Sequence, residues 1–434
     1  RYNKRKTIEE RNLAIMAESE RREHAAPIGR KTSADARHPS FSAAMNSSSL
    51  PTMTDYLRRH PEGFDETPFS PVDSLVLSAL SYLDFDRYRY GDVYAGPHVP
   101  LVDIVRFTDL DSMLSGGWIR ASRDLPVFLD ALLRCHRFAD LAIGYFVNEN
   151  AAALEKQFCA CTFSFDAGRS SYIAFRGTDG TFAGWKEDFN LSYRKIIPSQ
   201  RSAERYLSGV LSALPSACRV FVGGHSKGGN LAEFAAATVD ESNFVRIERI
   251  FNHDGPSYLN APSPRIYEAS FKEKLHKTVP ESSIFGMILE HRDDYSVVQS
   301  DAAGIFQHNP FTWLVDDVDF LYQDGLNAGA ALFDETLDRW LKSCTPEQRE
   351  TFIDTFYELV VSTDATTWQE FQEGGLIGNV AGVLRDGRNL DAETKEIIAH
   401  TMRNLRTVAN ETVRERLRNF VARMRSSGPG GFAR

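Results

Sequence analysis

The sequence predicts an α/β protein: a mainly parallel sheet flanked by helices, followed by an all-helical region. Three observations predict it. Short apolar runs at 158–165, 172–175, 218–222 and 247–251 alternate with amphipathic stretches, the pattern of strands joined by crossover helices. A glycine-rich turn, Gly223-Gly224-His225-Ser226-Lys227-Gly228-Gly229, joins one such run to the helix after it. Beyond Phe311 strand-like runs give way to helical periodicity.

The elements follow in order. Ser70-Pro71-Val72-Asp73 supplies an N-cap hydroxyl, proline at the first helical position and an acid in the first turn. Val72, Leu75, Val76, Ala79, Leu80 and Leu83 then give a helix one apolar face. Residues 125–138 form another amphipathic segment. The runs at 158–165 and 172–175 flank Asp166-Ala167-Gly168-Arg169, a turn signal that predicts a β-hairpin. A helix over 201–214 leads to the strand at 218–222, and further strands are predicted at 247–251 and 283–289. Between those two, 257–280 is read as a polar, partly helical insertion. Helices are predicted over 315–321, 330–341, 346–361 and 392–424, with a capping box at Thr345-Pro346-Glu347-Gln348. The last of them carries many arginines around an apolar stripe, which reads as packing on neighbours, with partner or membrane-surface contact as the alternative.

With 434 residues, 42% hydrophobic and 25% charged, the chain can bury a large core and carries an appended segment besides. The expected division is a disordered or non-native segment over 1–52, a main domain over 53–320, a helical region over 321–425 and a flexible tail over 426–434. The N-terminal stretch is polar, with Met45 or Met53 read as the natural start. A net charge of −9 argues against nucleic acid as a partner. No run approaches the roughly 18–20 apolar residues of a membrane span, so any membrane contact is expected to be peripheral. Cys135, Cys159, Cys161, Cys218 and Cys344 show neither a disulfide framework nor a zinc spacing. Reduced thiols and a cytoplasmic setting are expected, with no metal and no cofactor. Cys159 and Cys161, two apart in a strand, share a face and read as packing residues.

The chemistry centres on Ser226. Gly224 and Gly228 flank it as in G-x-S-x-G, where a sharp strand-to-helix turn strains the serine and leaves no room for side chains two residues away. A serine hydroxyl needs a histidine base, which needs an acid, and the partners follow in the order serine, acid, histidine. His308, in the loop after the last predicted strand, is the preferred base, with His253 and His291 read as structural. Asp294 is the preferred acid, because Asp293 and Asp294 follow the strand predicted at 283–289. Asp254, which follows the strand directly after the nucleophile helix, is the first alternative. The Lys227 amide at the helix N-terminus and Thr178 of Phe175-Arg176-Gly177-Thr178, through its amide and hydroxyl, are the expected oxyanion donors.

These words, with Trp185, Asp188, Asp294, His308 and Trp313, resemble the class 3 (fungal-type) lipases of the α/β-hydrolase superfamily. The span from Asp55-Tyr56-Leu57 to Trp313 is more closely similar to a poorly characterised bacterial lipase-like family, in which Glu290-His291, Asp294-Tyr295 and Gln307-His308 recur. The resemblance implies a Ser226, Asp294, His308 triad with Thr178 and Lys227 forming the oxyanion hole. Three positions depart from the lipase pattern: Lys227 stands at a usually apolar place, Asp254-Gly255-Pro256 replaces a Gly-Ser-Pro turn, and a short loop separates Asp294 from His308. A charged Lys227 beside the nucleophile implies preference for an acidic or phosphate-bearing substrate.

The expected activity is serine hydrolysis of a lipid or small acyl ester through an acyl-enzyme. A thioesterase or peptidase on the same scaffold, and a silent hydrolase fold serving as a binding module, are the alternatives. The stretch 257–280 and the helices after Phe311 are the expected candidates for a lid.

Overall fold

Among the described residues of the computed structural model nine strands form one sheet, and their spatial order follows the chain. The structure describes residues 50–113, 124–179, 182–258, 260–287, 289, 295–345 and 347–351, with scattered helical positions from 354 to 418. The strands are β1 (Val99–Pro100), β2 (Ala142–Ala151), β3 (Lys156–Phe165), β4 (Ser170–Phe175), β5 (Arg219–His225), β6 (Ile247–His253), β7 (Leu275–Pro280) and β8 (Ser296–Val298). A small hairpin of β9 (Val315–Asp316) and β10 (Asp319–Phe320) precedes β11 (Tyr322–Gln323), which closes the sheet beside β8.

The sheet is mixed. Strands β4 to β8 run parallel, whereas β1 to β4 and the β8–β11 pair are antiparallel. Parallel pairing needs a crossover of a dozen or more residues, and the short link from β3 to β4 allows only a hairpin. Side chains alternate between the two faces accordingly. On β4, Tyr172 and Ala174 join one core with Cys159, Cys161, Phe163 and Phe165 of β3, while Ile173 and Phe175 join the other with Phe158 and Ala160. The first core is covered by α1 (Met53–Arg59), α2 (Pro71–Leu80) and α3 (Leu125–Arg134). After α4 (Phe182–Asn190), the second is covered by α5 (Pro198–Ala213) and α6 (Lys227–Thr238). Cys159 and Cys161 therefore share one buried face, and both are free thiols.

Local chemistry sets the helix starts. At α2 the Ser70 hydroxyl accepts from the Asp73 amide (3.2 Å) and the Asp73 carboxylate accepts from the Ser70 amide (2.8 Å), a reciprocal capping box. The same carboxylate receives Arg137 through Nε (2.9 Å) and Nη2 (2.6 Å), a buried two-pronged ion pair that pins α2 to the turn after α3.

Three sequence expectations change. Where a strand is expected at 283–289, residues 283–287 form a turn, and the strand lies instead at Leu275–Pro280, inside the stretch expected to be an insertion. His276, Lys277 and Thr278 break the apolar pattern there, although Lys277 and Thr278 are buried and the strand lies between β6 and β8. A central strand cannot serve as a lid, which rules Leu275–Pro280 out of that role. Residues 315–321 form the β9–β10 hairpin rather than a helix, with Asp317 turning at φ 55°. β2, bulged between Gly144 and Val147, is an addition to the predicted elements.

The helical run after the sheet begins with α7 (Ala328–Ser343), whose Trp340 and Leu341 pack with Leu191, Ile197 and Val408. The capping box at Thr345 is present: its amide donates to the Gln348 side chain (2.9 Å) and its hydroxyl accepts from the Gln348 amide (3.3 Å). Most of the helices expected over 346–361 and 392–424, like nearly all of 1–52, lie outside the described residues. Among the described residues no helix is long and apolar enough to cross a membrane.

Candidate active site

Ser226 is the first residue past β5 and the N-cap of α6, with φ 59° and ψ −134°. A non-glycine residue there costs on the order of 1–3 kcal/mol, a strain that persists only where the surroundings enforce it. They do so by close packing: a Cβ on Gly224 would fall on the backbone of Gly228 and Phe175, and one on Gly228 would fall on the Phe175 carbonyl. The strand thus runs into the helix with no slack, and the half-buried Ser226 sits at the turn. Its amide donates to the His253 carbonyl (2.8 Å), which ties the turn to the end of β6.

Asp254 is the corresponding residue past β6, and it too turns at positive φ, 54°. Its amide continues the ladder to the Thr278 carbonyl (2.7 Å) on β7. One carboxylate oxygen accepts from the Ser283 hydroxyl and from the Gly286 amide (3.1 Å). The other lies 2.6 Å from His308 Nδ1. Asp254 is fully buried and the His308 side chain almost so.

His308 ends the short 3-10 helix Gly304–His308. Its ring lies between His225 and Phe285, with centroids 4.6 and 4.3 Å away. The bond to Asp254 places the proton on Nδ1 and leaves Nε2 as the basic nitrogen. His225 Nε2 lies 2.8 Å from the His308 carbonyl, so the residue before Ser226 fastens the loop carrying His308.

On the other side of Ser226 lies a buried polar cluster. The Lys227 ammonium donates to the Gln157 carbonyl (3.0 Å) and side chain (2.8 Å) and to Glu187 (3.2 Å), with Asp188 at 3.8 Å. Glu187 also accepts from the Ser199 amide (2.9 Å) and hydroxyl (2.7 Å). The Thr178 hydroxyl donates to Asp188. Burial pushes the Asp188 carboxyl up to about 6, against the opposing pull of Lys227 and of the Thr178 hydroxyl.

Residues 132–358, more than half of the chain, match the model of the Mbeg1-like family. The chain belongs to the Mbeg1-like family. This meets the expectation of a lipase-like family raised by its motif words. Solved structures similar to this Mbeg1-like chain include the Rhizomucor miehei lipase propeptide complex, at 15% identity and a TM-score of 0.29, covering 43% of this chain and 72% of that one. M37 lipase is similar at 15% identity and a TM-score of 0.32, covering 49% and 68%. No curated protein matches the chain.

The structure of this Mbeg1-like protein brings His308 and Asp254 together and sets Ser226 at the neighbouring strand end. Asp293, Asp294 and His291 lie outside the described residues. His253 is structural in its contacts: Nε2 meets the Ser74 hydroxyl (2.9 Å) and Nδ1 the Thr278 hydroxyl (2.8 Å). Two expectations about side chains change. The Thr178 hydroxyl is engaged by Asp188, and the Lys227 ammonium is 1% exposed and turned to Glu187. Sequence reasoning missed Ser283 and Gly286 because the turn that holds Asp254 was read as a strand, and it missed Glu187 because a buried carboxylate in a helix carries no local signal.

Proposed function

We propose that the segment over 53–320 is a serine hydrolase of carboxylic esters, acting on lipid or small acyl esters through an acyl-enzyme. Ser226 attacks, His308 Nε2 takes its proton and returns it to the leaving group, and Asp254 orients the imidazole and stabilises its charged form. Asp254 takes the role that the sequence favoured for Asp294. The amides of Thr178 and Lys227 stabilise the oxyanion, at the N-terminus of α6 where backbone N–H groups lack helical partners. One observation carries the reading: a buried aspartate 2.6 Å from a histidine Nδ1, next to a serine held at φ 59° between a strand and a helix. The neighbouring register of β5 and β6 and the tie from His225 to the His308 carbonyl support it.

A fluorophosphonate probe tests it. Labelling should map to Ser226, vanish in Ser226→Ala and slow strongly in His308→Ala, and esters of increasing chain length should then be hydrolysed. Folded protein that neither labels nor hydrolyses any ester would return the chain to the binding-module alternative.

A further inference from the structure

Tyr82, two residues beyond α2, is buried to 1% exposure. Its hydroxyl lies 2.9 Å from His225 Nδ1 and, more distantly, 3.4 Å from the His225 carbonyl. The approach to Gly177 is so close that a Cβ there would fall on the phenol oxygen and the His225 carbonyl. At the far side of the same imidazole, His225 Nε2 lies 2.8 Å from the His308 carbonyl.

The proton positions follow from the partners. A carbonyl only accepts, so His225 Nε2 carries a hydrogen. Burial, and then the nearby His308, hold the His225 imidazole well below its usual pKa, so it is neutral and has one hydrogen to give. Nδ1 is therefore an acceptor, and the Tyr82 O–H donates to it. The run reads from the Tyr82 O–H to His225 Nδ1 and from His225 Nε2–H to the His308 carbonyl. Both bonds point the same way, so the first polarises the second.

We infer that Tyr82, packed against the oxyanion turn at Gly177, is a positioning residue that acts through His225 on the loop that carries the base. The inference rests on the hydrolase reading above. His308 is held at two points: its ring by Asp254 and its carbonyl by His225. The first sets the ring's direction and the second sets where the ring stands. His308 ends a short 3-10 helix whose first residue, Gly304, has φ 58°, and the carbonyl tie anchors this segment to the nucleophile strand. Removing the Tyr82 hydroxyl leaves His225 Nδ1 buried without its donor, and the imidazole then relaxes together with the His308 backbone. A displacement near 1 Å at a reacting group costs on the order of a hundredfold in rate.

The test uses the full chain with Tyr82→Phe, His225→Leu, their double variant and His225→Gln, whose amide again offers one donor and one acceptor. Hydrolysis of p-nitrophenyl butyrate, thermal unfolding and the proton NMR signal of His308 Nδ1–H are measured. Tyr82→Phe should lower kcat about tenfold with KM within about twofold, and His225→Leu at least as much. The double variant should be no slower than His225→Leu, because coupled residues do not add, and His225→Gln should recover most of the rate. The Nδ1–H signal should shift or broaden in Tyr82→Phe. Unchanged kcat and an unchanged signal in folded Tyr82→Phe, or losses that multiply in the double variant, would overturn the inference. Should the wild type neither hydrolyse the ester nor label, the hydrolase reading fails by itself, and the His308 signal still decides whether Tyr82 positions that ring.

Discussion

Ser226 and Asp254 leave adjacent parallel strands at the same level, each at positive φ, with the Ser226 amide bonded to the carbonyl of the residue before Asp254. The sheet's own register thus fixes the separation of Ser226 and Asp254, and His308 comes to them from a loop. This arrangement leads to four predictions.

Asp254→Asn and Asp294→Asn separate the two acids. Loss of the triad carboxylate with geometry kept costs on the order of 10⁴ in kcat in a well-characterised serine enzyme. Asp254→Asn should approach that loss, and Asp294→Asn should stay within about threefold of wild type by the same measure. The reverse ranking in steady-state assays would assign the acid to Asp294.

Lys227→Met should act on stability rather than on substrate charge. It strands Glu187, fully buried, without its cation, and breaking a buried pair by removing one partner costs about 3–5 kcal/mol. The ratio of kcat/KM for neutral and anionic esters should not move, and adding Glu187→Gln should recover part of the stability. A ratio that changes with Lys227→Met while the melting curve stays put would contradict the geometry.

Asp188 makes stability depend on pH. Its carboxyl is raised from 3.8 to about 6, so the folded protein holds this proton more tightly than the unfolded chain does. The resulting stability is fully present below 3.8 and is lost as pH rises through about 6. Asp188→Asn keeps an acceptor for the Thr178 hydroxyl and removes the titration. Its Tm relative to wild type should therefore climb across that window and level off above it, and a difference that is flat with pH would count against the shift.

Phe306 is 66% exposed, two residues before His308. A phenyl group entering an apolar phase gains about 1.5–3 kcal/mol. Phe306→Ser should therefore lower turnover of an ester presented in vesicles about tenfold or more on that scale, while hydrolysis of a soluble short-chain ester is unchanged. Equal losses on both substrates would place Phe306 in the chemistry rather than at the lipid surface.

Much of this was legible because it is local. The Ser70 cap, the β3–β4 hairpin and the elbow at Ser226 each depend on residues within a few positions of one another, and sequence spacing reports such contacts directly. The carboxylate beside His308 was harder to single out. Reading 283–289 as a strand puts Asp294 at a strand end, whereas β7 escaped notice because buried Lys277 and Thr278 interrupt its apolar pattern. Lys277, pushed down to about 8 by burial, has the Ser257 hydroxyl 2.9 Å away. Polar residues satisfied inside the fold look, in a sequence, like residues facing water. Tyr82 was hidden for another reason: its partners Gly177, His225 and, through it, His308 are far apart in the chain and meet only once the sheet is built.

The outer strands β1 and β11 are each two residues long, although the strands inside them reach ten. An open sheet invites strangers at its rim, since unpaired backbone there can recruit another chain into a growing ribbon. With borders this brief, each rim offers barely one rung for a foreign strand to grip, so the architecture itself guards against aggregation through the sheet.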